Sequence, residues 1–196
     1  MVKRLIIIIC LLAPVNLFSQ NADIELLRYL NSPEVLPSDN FWRFVSNSEL
    51  YVGLGIPAGI GTAGLIKKNK ELIRSACVIL AAEAITSGIT TVMKYSFNRE
   101  RPFVTYPDIT QKSPAGSPSF PSGHTSNAFA TATSLSLEFP KWYVAVPSFV
   151  WAGSVGYSRM HLGVHYPSDV LTGALIGSGC AWLTHIVNKK LNSKRK

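Results

Sequence analysis

The chain has 196 residues, 47% of them apolar and only 15% charged, against about 25% charged in an average soluble domain. That length suits one domain, and the composition excludes a disordered chain, a coiled coil and a collagen-like repeat. The formal charge of +8 gathers in short clusters beside apolar runs, a placement that fits membrane topology rather than a nucleic-acid face. Cys10, Cys77 and Cys180 lie singly in apolar segments with no paired spacing, so neither a disulfide framework nor a zinc site is expected.

In chain order, a basic start at Lys3 and Arg4 leads into an apolar stretch, then a small residue at Ser19. Residues 1–19 read as a secretory signal peptide, with an uncleaved signal anchor as the alternative. Residues 20–49 mix apolar and charged positions around Pro33 and Pro37 and carry Phe41, Trp42 and Phe44, a pattern expected of an amphipathic segment at a membrane interface. Five apolar segments follow, near residues 50–66, 72–93, 125–137, 142–157 and 170–187. They predict an all-α fold: a helical membrane bundle of five spanning helices over residues 50–187, six if the first segment is retained. Several segments are short for a span of about 17–25 residues, so buried helices of a soluble all-α domain are the competing reading. Residues 188–196 form a basic tail.

The positive-inside rule puts both the basic connection at 67–74 and this tail in the cytoplasm. The second segment then ends on the outer face, the third starts there, the fourth ends there and the fifth starts there. An exported N-terminus requires the same orientation.

Three clusters fall at those outer ends. The first runs from Lys94 to Arg101 and Pro102. Lys94 and Arg101 are two helical turns apart and share a face if the helix continues, and Pro102 is expected to stop it. The second, Pro121-Ser122-Gly123-His124, opens a helix, with Ser122 as N-cap and free N–H groups suited to an anion. The third holds Ser158, Arg159, His161, His165, Ser168 and Asp169. Asp169, four residues after His165, is placed to bond one imidazole nitrogen and leave the other free to attack. Singly, each cluster also reads as an ordinary helix end.

Together, Lys-x6-Arg-Pro, Pro-Ser-Gly-His and Ser-Arg-x5-His-x3-Asp, in this order over residues 94–169, resemble the type 2 phosphatidic-acid phosphatase family, which is related to the vanadium haloperoxidases. The residues around His165 look like its membrane-bound lipid-phosphate branch. The resemblance implies a metal-independent histidine phosphatase without a cofactor. His165 would be the nucleophile, Asp169 its orienting carboxylate and His124 the acid and base. Lys94, Arg101, Ser122, Gly123 and Arg159 would hold the phosphoryl oxygens. His161 ranks second as nucleophile, lacking a carboxylate four residues on.

The expected substrate is a phosphate monoester or diphosphate of a lipid: phosphatidic acid, phosphatidylglycerol phosphate, a polyprenyl diphosphate or lipid A. The expected location is a bacterial-type inner membrane, multi-pass, with the site facing the periplasm or exterior and no nucleic-acid partner. A soluble exported acid phosphatase and a non-catalytic bundle that binds anionic lipid are the rivals. Oligomeric state is left open.

Overall fold

The computed structural model describes residues 15–193, so most of the export segment read at 1–19 and the last residues of the basic tail lie outside the described residues. Among the described residues the chain is all helix and turn, with no strand. The helices are α1 (Val15–Leu30), α2 (Ser38–Ile66), α3 (Lys70–Phe97), the single turn α4 (Pro102–Thr105), α5 (Gly123–Glu138), α6 (Trp142–His161) and α7 (Pro167–Ser193). The apolar run from Leu50 belongs to a helix that already begins at Ser38, so α2 is longer than its apolar segment.

Among the described residues, three helices are long and apolar enough to cross a membrane: α2, α3 and α7. At 16 residues α5 is, with α1, the shortest of the main helices, about 24 Å at 1.5 Å per residue. It is also the hub, packing on α2, α3, α6 and α7. Its sequence explains the position: Ala128, Ala130, Ala132, Ser126, Thr131 and Ser134 are all buried, and small side chains let helix backbones approach. The closest crossing is with α7, where a Cβ on Gly177 would stand 2.0 Å from the Ser126 carbonyl oxygen.

The distribution of polarity is inverted relative to a water-soluble bundle. Arg159, Thr86, Thr90, Thr131 and Asp169 are buried, whereas Leu54, Ile85, Val92, Val150, Leu175 and Leu183 are exposed. Buried hydroxyls largely bond carbonyls one turn back, as Thr86 does with Ala82 and Thr90 with Thr86, so they add polarity to the interior at little cost. An apolar exterior of this extent requires an apolar surrounding.

The two ends of the bundle differ. At one end Asn69 caps α3 by accepting from the Glu71 and Leu72 amides, next to Lys67, Lys68 and Lys70. Here too Glu138 of α5 bonds Ser75 of α3 and His185 of α7. The opposite end collects the C-terminal ends of α3 and α6 and the N-terminal starts of α5 and α7. There α1 lies across it, burying Ile24 and Leu27 against Ile109 and Tyr166.

Candidate active site

Residues 162–166 turn the chain from α6 into α7. Gly163 makes the turn possible: its φ is +70°, and a Cβ there would lie 2.3 Å from the Thr110 carbonyl oxygen, so the left-handed backbone and the close approach both demand glycine. Pro167 then opens α7 and puts Asp169 in its first turn, where the helix dipole favours a carboxylate.

His165 is buried between this turn and the rest of the outer end. Its Nδ1 faces Asp169 Oδ2 at 3.4 Å and Ser119 Oγ at 3.5 Å, while Nε2 faces Arg101 Nη1, also at 3.4 Å. Burial pushes the imidazole pKa down to about 3, against the opposing pull of Asp169, so the ring is neutral at physiological pH. Asp169 is fully enclosed and accepts from Ser119 Oγ, the Tyr166 amide and Arg99 Nη1. Donors on both oxygens hold the carboxylate in one orientation.

Arg101 arrives by a route other than a continued helix. The first cluster was expected to share a helical face, but α3 stops at Phe97, with Asn98 left-handed at φ 45°. Arg101 is the residue before α4, and Pro102 begins that turn rather than ending a helix. Its guanidinium is pinned by the Ser117 and Val164 carbonyls, each at 2.8 Å. Lys94, still on α3, donates to the Pro118 carbonyl at 2.6 Å.

The second cluster opens α5 as expected, but Ser122 makes no side-chain cap bond. Its hydroxyl lies 2.9 Å from Thr125 Oγ1, and its amide donates to the Asp169 carbonyl. The first amides of α5 are therefore not satisfied by the Ser122 hydroxyl. Gly123 leaves open space at this helix start, the nearest atom to a Cβ there being Lys94 Cε at 3.8 Å. His124 follows, half-buried, within electrostatic reach of Arg159, Lys94 and Arg101.

Arg159 is buried, donates to Ser46 of α2 and leaves its Nε without a partner. Lys94, Arg101, Arg159, His124, His165 and Asp169 thus occupy one end of the bundle. His161 is turned elsewhere. Its Nε2 meets Asp39 Oδ1 at 2.7 Å, and Lys112 completes the buried cluster from the loop above. That trio ties α2, α6 and the loop together.

Sequence reasoning did not single out Arg99, Ser119 or Asp23. Arg99 bridges Asp169 at 2.7 Å and Asp23 of α1 at 3.0 Å, with its guanidinium 3.8 Å above the Tyr166 ring. Ser168 joins them by donating to Asp23 through its amide at 2.7 Å. Arg99 and Ser119 lie within or beside quoted motifs, but nothing in their spacing marked them. Asp23 sits in a stretch that reads as interfacial.

The profile of the PAP2 superfamily matches residues 75–193, which contain all three clusters. The chain belongs to the PAP2 superfamily. Among its PAP2 relatives is a lipid A 4'-phosphatase of Bacteroides thetaiotaomicron, 27% identical, covering 90% of this chain and 81% of that protein. Another is an undecaprenyl-diphosphatase of Sulfolobus acidocaldarius, 31% identical, covering 83% and 76%. Among solved PAP2 structures, Aquifex aeolicus LpxE superposes with a TM-score of 0.68 at 29% identity, covering 83% of this chain and 94% of that one. The transmembrane phosphatidylglycerolphosphate phosphatase of Bacillus subtilis gives 0.70 at 24% identity, covering 91% and 88%, a likeness of fold.

Proposed function

We propose that this PAP2 protein is a membrane-embedded, metal-independent phosphatase of lipid phosphates that works through a phosphohistidine. The observation that carries the reading is the environment of His165: a buried, neutral imidazole with one nitrogen towards a carboxylate and the other towards a guanidinium. A carboxylate at Nδ1 favours the tautomer whose proton sits there, leaving the Nε2 lone pair for attack.

Nε2 forms the bond to phosphorus as the bond to the lipid oxygen breaks. His124, whose protonated form the negative charge of a bound phosphate group favours against the surrounding cations, gives its proton to that oxygen. The ring, still protonated at Nδ1, becomes cationic, and Asp169 offsets the charge. His124, now neutral, takes a proton from water, whose oxygen attacks phosphorus. The P–N bond breaks, its electron pair returns to Nε2, and phosphate leaves with both residues restored. Lys94, Arg101, Arg159, the Ser122 hydroxyl and the Gly123 amide hold the phosphoryl oxygens, each charge-assisted bond contributing about 1.5–3 kcal/mol. These cations take the part that Mg²⁺ plays in other phosphoryl transfers.

In this reading α2, α3, α5, α6 and α7 all cross the bilayer, α5 enclosed by the other four. The lysine-rich end lies in the cytoplasm and the site faces the periplasm or exterior. The apolar exterior argues against the soluble exported phosphatase. The deciding experiment is phosphate release by purified protein from a panel of lipid monophosphates and diphosphates. Wild type should hydrolyse at least one, and His165→Ala should lose most of that activity with unchanged helical circular dichroism. Full activity in the alanine variant would defeat the proposal.

A further inference from the structure

Residues 117–119 cross the outer end of the bundle as a strap that touches four groups of the site. The Ser117 carbonyl takes Arg101, the Pro118 carbonyl takes Lys94, and the Ser119 side chain reaches both Asp169 and His165. We propose that Ser119 is a positioning residue, whose hydroxyl is a second acceptor for the Nδ1 proton of His165 and steadies that ring as it turns cationic; this rests on the reading of His165 as the nucleophile.

The proton count decides which way the hydroxyl works. A serine hydroxyl carries one proton and two lone pairs, and an ionised carboxylate can only accept. The bond from Ser119 Oγ to Asp169 Oδ2 therefore uses the only proton the serine has. What it turns towards His165 Nδ1, 3.5 Å away, is a lone pair. Nδ1 thus faces two acceptors, since Asp169 Oδ2 stands 3.4 Å off, while Nε2 faces the Arg101 donor. Both sides of the ring favour the same tautomer, protonated at Nδ1.

Distance shows when the contact matters. Ordinary N–H···O bonds span about 2.7–3.2 Å, and both contacts at Nδ1 are longer. At that length they contribute little to the neutral ring, and they tighten as positive charge develops on it. An interaction that is stronger in the transition state than before it raises kcat and leaves KM alone.

Ser119 is also held in place. It is fully buried, its amide donates to the Arg99 carbonyl at 2.8 Å, and its carbonyl receives Lys94 Nζ at 3.4 Å. Asp169 has donors enough without it, because Arg99 Nη1 holds one oxygen and the Tyr166 amide the other. As a prop for the carboxylate the hydroxyl is redundant, but beside Nδ1 it supplies an acceptor that Asp169 alone does not.

The test measures kcat and KM of the full-length protein in mixed micelles on phosphatidic acid, a prenyl diphosphate and lipid A, taking whichever the wild type cleaves. Ser119→Ala should lower kcat about tenfold, the equivalent of one hydrogen bond to a charged group, with KM and the unfolding midpoint unchanged. Added to Asp169→Asn, the same substitution should still cost about tenfold, because the serine lone pair faces Nδ1 whatever stands beside it. A loss that vanishes in that background would make Ser119 a prop for Asp169. That result, a loss carried by KM, or wild-type kcat in Ser119→Ala would each overturn the proposal and leave the phosphatase standing. If Ser119→Ala fails to fold, the nearly isosteric Ser119→Cys, whose thiol accepts weakly, decides on the same readouts. No hydrolysis of any of the three lipids by the wild type would instead end the enzymatic reading.

Discussion

His165 has its two ring nitrogens committed to opposite environments, and the predictions at this scale follow from that division. Asp169→Asn keeps the shape at Nδ1 but removes the negative charge that, in the proposed mechanism, offsets a cationic phosphohistidine. Phosphate release should fall by about 10²–10⁴-fold, less than in His165→Ala, because neutral imidazole retains its lone pair. His165 also makes stability depend on pH. Its pKa is about 3 when folded against 6.5 when free, so below 6.5 the unfolded chain binds a proton that the folded chain refuses. The stability this group protects is fully present above pH 6.5 and is lost as pH falls towards 3, by about 1.4 kcal/mol for each pH unit well inside that window. Thermal unfolding in detergent at pH 7 and pH 4.5 checks it: the midpoint of His165→Gln should fall less between the two than that of wild type. An equal fall would show that His165 is not held neutral by burial.

Helices meet here through backbone proximity more than through large side chains, so glycine substitutions separate the contacts that matter. Gly177→Ala drives a methyl group into the Ser126 backbone of α5. It should cost about 1–3 kcal/mol or more, read as a lower unfolding midpoint, whereas Gly55→Ala on α2 meets nothing within 4 Å and should leave the midpoint unchanged. The same scale holds the clearest contrast between what the sequence disclosed and what it did not. Apolar runs and helix-end motifs located α3, α5, α6 and α7 because their signals are local: stretches with little or no charge, and the Pro121-Ser122-Gly123-His124 start of α5. The Arg101 detour was not legible, since it depends on Asn98 adopting a left-handed backbone that its neighbours permit without announcing. Nor was the role of α1 legible. The Asp23–Arg99 pair spans 76 positions, and only the folded chain brings the two together. If α1 orients Asp169 through Arg99, Asp23→Asn should lower kcat about tenfold, one charge-assisted bond lost, with KM and helical content little changed. A variant that loses midpoint but not kcat would make α1 a structural clamp only.

Over the whole molecule, two gradients run along one axis. Basic residues gather at the end where α2 meets α3, and Lys94, Arg101 and Arg159 gather at the other, with an apolar belt between. Cations of the first kind are exposed, whereas Arg101 and Arg159 are buried and face inward, so net charge alone does not distinguish the ends. The positive-inside rule does, because it counts only solvated Lys and Arg near the membrane surface. It predicts that Gln111, exposed on the loop above the site, is outside the cell membrane, and that Glu71, exposed at the start of α3, is inside. In a background with Cys10, Cys77 and Cys180 replaced, Gln111→Cys should react with a membrane-impermeant maleimide in spheroplasts. Glu71→Cys should react only after the membrane is opened. The reverse pattern would put the site in the cytoplasm and remove outer-leaflet lipids from the substrate field. Labelling of both from outside would show that the belt is not embedded, returning the soluble phosphatase to consideration whatever the chemistry at His165.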